Sequence, residues 1–94
     1  MNEELKNIIY EGELLKSRAL TENDENLSEA EIIDNIHVEV EEWIKKAKEV
    51  LSSNKINGID LDEPSWVDLG SFSREALNGF IEKRLKELRP LINN

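Results

Sequence analysis

His37 is the only histidine in a sequence that has no cysteine. General acid–base work would need it in a cleft beside a reacting group. On a helix, Glu41 lies one turn ahead of it and Ile33 one turn behind. That setting describes a residue at the boundary of an apolar stripe, not a catalytic one. A lone histidine leaves zinc dependent on carboxylates, and no HExxH pair is present. Glu39, Glu41 and Glu42, with Glu31 and Asp34, bring several carboxylates close together in sequence. Carboxylate-bridged metal sites in bundles use inward Glu-x-x-His pairs from several helices. Asp34-Asn35-Ile36-His37 matches that spacing only loosely, and no second copy exists.

Asn57-Gly58-Ile59-Asp60-Leu61-Asp62-Glu63 has the turn and carboxylates of a calcium loop but fails its register. With Gly58 at the sixth position, Lys55 falls at the third, where an acid belongs. Pro64 falls at the twelfth, where the bidentate glutamate belongs. Asp60 and Asp62 read instead as turn or cap residues. Ser65, Ser71 and Ser73 suit turns and caps better than a nucleophile. There is no glycine-rich phosphate loop. The sequence therefore assigns no catalytic residue, no metal ligand and no cofactor-binding residue. Its aromatic residues are a different matter. Trp43 falls on an apolar stripe and reads as core. Trp66, Val67, Leu69 and Phe72 fall in an irregular stretch and form the candidate interface, since large aromatic side chains anchor protein contacts.

Three amphipathic helices must position these residues. Asn2 can cap a first helix from about Glu3 to Ala19, with Leu5, Ile8, Ile9, Gly12, Leu15 and Ala19 on one face. Ser28-Glu29-Ala30-Glu31 is a capping box, and Leu27 with Ile32 forms the accompanying staple. From there Ile33, Ile36, Val40, Trp43, Ala47 and Val50 step by three and four, widened by Ile32, Ile44 and Leu51. This second helix should stop near Ser52 or Ser53, before Asn54 and Asn57-Gly58. Ser73 can cap a third helix whose inner edge is Leu77, Phe80, Ile81, Arg84, Leu85 and Leu88. Pro90 then ends it.

Between them, residues 54–72 are rich in turn formers yet carry seven large apolar side chains. Pro64 and Gly70 suit the ends of a short helical turn at 64–69. The lengths predict helices of about 26, 36 and 23 Å. The middle one outruns its neighbours, so either the 54–72 segment folds back over it or a second copy of the chain does. The predicted architecture is all-α: one domain over residues 1–94, an antiparallel three-helix bundle with a short extra helical turn in the connector before the last helix. Gly12 and Gly79 fall inside helices. Each marks either a close approach between the first and third helices or a tolerated residue.

The 94 residues carry 21 acids and 12 bases, net −9. From Ala19 to Ile44 there are nine acids and no lysine or arginine. Such a surface repels nucleic-acid phosphates and anionic lipid, so neither is expected as a partner. No apolar run approaches the roughly 18 residues of a membrane span. The start, Met-Asn-Glu-Glu-Leu, does not read as a secretory signal, and the expected compartment is the cytoplasm. The leading functional expectation is a non-catalytic interaction or regulatory module whose partner is a protein, basic if charge selects it. The alternatives are an acidic decoy of a nucleic-acid-binding protein and a small enzyme or enzyme subunit completed at a dimer interface.

Overall fold

The computed structural model describes residues 3–59, 61 and 73–92. The helical turn expected at 64–69 lies outside them. The described chain forms α1 (Glu3–Thr21), α2 (Glu29–Ser53) and α3 (Arg74–Leu88), followed by a 3₁₀ turn at Arg89–Ile92. No strand occurs among the described residues.

The ends of α2 show why it starts and stops where it does. The Glu31 N–H donates to the Ser28 hydroxyl and the Ser28 N–H donates to the Glu31 carboxylate, both at 3.2 Å. Two otherwise unpaired donors of the first turn are thereby satisfied. At the far end Lys55 N–H donates to the Ser52 carbonyl and Ile56 N–H to that of Leu51. This is a Schellman motif, which requires its central residue in the left-handed region. That residue is Lys55, with φ 57°. Ile56, half-buried against the core, and buried Leu51 supply the apolar side of the motif. Ser73 caps α3 by accepting from the Ala76 N–H at 3.0 Å.

Cross-contacts fix the directions. Ile8 meets Trp43, and Arg18 meets Glu39, so α1 and α2 are antiparallel. Lys16 meets Asn78, and Glu13 meets Arg89, so α1 and α3 are antiparallel too. Helices α2 and α3 therefore run the same way, so the antiparallel packing expected from the sequence holds for α1 with each neighbour but not between α2 and α3. Arg74, at the start of α3, pairs with Glu29 at the start of α2. A chain leaving α2 must return along its 25 residues, about 37 Å, before α3 can begin. Nineteen residues, 54–72, can reach about 60 Å when extended, so the length of this connector follows from the topology. Leu61 within it is 3% exposed and belongs to the core.

Helix α1 is the centre of the bundle. It packs against both other helices, whereas α2 and α3 touch each other little among the described residues. Every apolar residue expected on its inner face is buried, and Gly12 with them. The inner face of α3 is narrower than the sequence predicts. Leu77, Ile81, Leu85 and Leu88 are buried, while Phe80 and Arg84 sit at the flank. There the Arg84 guanidinium stacks 4.0 Å from the Phe80 ring centroid. Val50 of α2 is also only half-buried.

The two helical glycines separate cleanly. A β-carbon on Gly12 would lie 2.4 Å from Trp43 Cζ2 and 2.8 Å from Leu85 Cδ2. Close approach at Gly12 thus involves both neighbouring helices. A β-carbon on Gly79 would meet nothing within 4 Å. Two stability changes are expected. Lys55→Gly relieves a left-handed lysine and should raise stability by about 1 kcal/mol. Gly79→Ala should add up to about 1 kcal/mol through helix propensity alone. Urea unfolding at constant slope checks both, and a lowered midpoint for either would contradict the assigned backbone or packing.

Candidate interaction groove between the first two helices

The antiparallel pair α1 and α2 leaves an open groove of about 360 Å³ between them. Leu14, Leu15 and Trp43 supply its apolar lining, and charged side chains border it. Helix periodicity places Leu14 off α1's inner face, so it is 47% exposed while Leu15 is buried. Tyr10, one turn earlier on the outer face of α1, is 64% exposed.

The borders are held by ion pairs that join the two helices. Arg18 of α1 donates to both carboxylate oxygens of Glu39 on α2, at 2.9 and 2.7 Å. The same guanidinium donates to Glu22, at 3.3 and 2.6 Å. Hydrogen bonds to Glu39 first, then Glu22, push the Arg18 pKa above its already high ordinary value, against the cost of partial burial. The Glu22 carboxyl is correspondingly held below the usual range by Arg18. Further along, Lys46 Nζ lies 3.2 Å from both oxygens of Glu11. Glu42, also on the border, is exposed and has no ion-pair partner among the described residues.

On the other side of α1, Arg89 donates to Glu13 and Glu82, and Lys16 Nζ lies 3.1 Å from Glu82. Hydrogen bonding from Arg89, then from Lys16, pulls the Glu82 carboxyl down to about 2.

His37 is not the boundary residue that the sequence suggests. It is 2% exposed, with Nδ1 3.2 Å from Glu41 Oε1. The stripe of α2 is widened on that side by Ile33, Ile44 and Leu51, and His37 is carried inward with them. The nine acids between Ala19 and Ile44 are largely engaged. Glu22 and Glu39 hold Arg18, Glu29 holds Arg74, Glu31 closes the capping box, and Glu41 lies beside His37. Asp24 accepts from the Asn26 N–H at 2.9 Å. Among the described residues no group of three or more His, Asp or Glu is placed to hold a metal ion. None of their helices is long and apolar enough to cross a membrane.

Trp66, Val67, Leu69 and Phe72 lie outside the described residues, as do Asp60, Asp62, Ser65 and Ser71. Ser73 is a helix cap. The groove was not foreseen. Its sequence signal is modest: Tyr10 and Leu14 form an apolar pair four residues apart, off the buried stripe of their helix. No family model matches the chain, and neither a curated protein nor a solved structure matches it.

The depressed Glu82 carboxyl predicts an acid dependence with a definite sign. A carboxyl lowered from about 4.5 to about 2 contributes stability fully present above 4.5. That contribution is lost as pH falls from 4.5 through about 2. Carbon-detected NMR titration should place the Glu82 midpoint well below that of ordinary glutamates. Glu82→Gln should remove its share of the acid-limb slope and leave the slope above pH 5 unchanged. A Glu82 midpoint near 4.5 would contradict the ion-pair geometry.

Proposed function

We propose that this chain is a non-catalytic helical module that acts, in the cytoplasm, by binding a protein partner through the α1–α2 face. The observation that carries the reading is the exposure of Leu14 at that face, with Tyr10 exposed one turn earlier on the outer face of α1. Both are large, apolar side chains on a well-formed helix, left exposed although the inner face of the same helix is fully packed. Leu14 also lines a groove whose borders are fixed by ion pairs, so the surface is pre-shaped. Isolated exposed apolar residues are ordinary, but two that lie one turn apart on the same helix, one of them lining a groove, form a patch that a protein partner can cover. The acid-only run favours this reading over a phosphate-mimicking decoy. Most of its carboxylates are committed to arginines, a cap or His37 and are not arrayed freely outward.

The test is a double substitution of Tyr10 and Leu14 to serine. Both positions are exposed, so the denaturant midpoint should move by no more than about 0.5 kcal/mol per site. Affinity capture from native cell extract, read by mass spectrometry, should lose the proteins retained by the unaltered chain. Retention of the same set by the folded double variant would overturn the proposal.

A further inference from the structure

We infer that Asn57 is a spontaneous modification site, at which the backbone nitrogen of Gly58 displaces the side-chain amide and leaves an aspartyl or isoaspartyl residue. An asparagine before glycine is prone to this reaction because no β-carbon on the second residue screens its nitrogen or restricts its backbone. The chain holds two such pairs, Asn57-Gly58 and Asn78-Gly79. By sequence the two are chemically alike. The fold makes them different.

Asn57 and Gly58 lie past the end of α2, outside any helix, and both are exposed. Among the described residues neither the Asn57 side chain nor the Gly58 N–H is engaged in a hydrogen bond. Gly58 has φ 88°, and a β-carbon there would meet nothing within 4 Å. Its nitrogen therefore has room to approach the Asn57 side-chain carbon. The other pair is held on both sides. Asn78 is half-buried in α3, and its Nδ2 donates to the Lys16 carbonyl of α1 at 2.9 Å. The Gly79 N–H lies inside the helix, where it is committed to the carbonyl four residues back. Reaction at Asn78 would break both bonds and unwind α3 against α1. Asn54, the nearest other asparagine, donates its amide to the Val50 carbonyl at 2.8 Å and precedes a lysine rather than a glycine.

Water is the only co-reactant. Solvent hydroxide removes the Gly58 amide proton, and the nitrogen forms a bond to Asn57 Cγ. The Cγ–Nδ2 bond breaks, and Nδ2 takes a proton from solvent and leaves as ammonia. The product is a cyclic imide. Water opens it at Cγ to give aspartate, or at the main-chain carbonyl carbon of residue 57 to give isoaspartate. One water enters, one ammonia leaves, and a carboxylate replaces a neutral amide with no change of oxidation state. The isoaspartyl product also carries an extra methylene in its backbone. That insertion falls between Ile56 and Ile59, both packed against the core, and two residues before buried Leu61 comes Ile59 itself. The modified chain is therefore less well anchored at the start of its connector.

The test incubates the full-length chain in mildly alkaline buffer, once folded and once in guanidinium. Peptide mass mapping, with fragmentation that distinguishes isoaspartate from aspartate, reads each asparagine. In the folded chain Asn57 should convert at least ~10-fold faster than Asn78, which must first give up two hydrogen bonds. In guanidinium the two should convert at similar rates. Asn57→Gln, at an exposed position, should keep the fold and lose most of the ammonia release, because its longer side chain closes the ring poorly. The isoaspartyl chain, separated by ion exchange, should unfold at a lower urea midpoint than Asn57→Asp, which has the charge without the methylene. Equal conversion of Asn57 and Asn78 in the folded chain, or an Asn57 that stays intact when folded, would overturn the site. Protection of Asn78 that survives unfolding would overturn selection by the fold. Equal midpoints for the isoaspartyl chain and Asn57→Asp would overturn the loosened anchor.

Discussion

The bundle depends on one contact between an indole and a missing side chain. Trp43 of α2 is buried against Gly12 of α1, and its Nε1–H donates to the Ile8 carbonyl at 2.7 Å. In an α-helix the carbonyl of residue 8 is also the one that receives the N–H of residue 12. The indole thus lies across the helical turn that Gly12 opens and bonds to the backbone at its base. A buried Trp N–H without a partner is costly, so this bond fixes the depth and rotation of the ring. Leu85 of α3 reaches the same notch from the other side. A single glycine therefore sets the distance from α1 to both neighbours. The helix-propensity cost of that glycine, about 1 kcal/mol, is the cost of bringing three helices together.

Placing α1 in the middle has consequences for the rest of the chain. With α1 antiparallel to both neighbours, α2 and α3 are parallel and a long crossover is unavoidable. The ion pairs follow the same plan. Arg18–Glu39 and Lys46–Glu11 tie α1 to α2, while Arg89–Glu13 and Lys16–Glu82 tie α1 to the C-terminal part of the chain. Each is partly exposed and individually worth little. Together they set rotation about the helix axes, and on the α2 side they build the borders of the groove. The same carboxylates that give the sequence its acidic run thereby become parts of a shaped surface.

Elements were legible in the sequence wherever the signal was local. The capping box at Ser28–Glu31, the cap at Ser73 and the apolar stripes depend on neighbours within a turn or two, and the structure follows them closely apart from Val50 of α2 and Phe80 and Arg84 of α3, which sit at the flanks. Direction was less legible. Nothing local distinguishes a third helix running with α2 from one running against it; the clue was the 54–72 connector, too long for a simple reversal. Gly12 read as either packed or tolerated because its partners, Trp43 and Leu85, are 31 and 73 positions away in sequence. His37 was misjudged for a related reason. Its polarity placed it at the edge of the stripe, whereas the true apolar face of α2 is wide enough to bury it. The groove was invisible because it belongs to neither helix alone; Leu14 and Trp43 share a lining only once the packing register exists.

The measurement that bears most directly on the notch is a double-mutant cycle between Gly12→Ala and Trp43→Phe. Phenylalanine lacks the benzo ring that crowds position 12. Gly12→Ala should cost about 1–3 kcal/mol beside Trp43. Beside phenylalanine it should cost far less, for a coupling energy of at least about 1 kcal/mol from urea unfolding. Additive effects of the two substitutions would mean that the indole does not sit on Gly12, and the account of how α1 organises the bundle would fail.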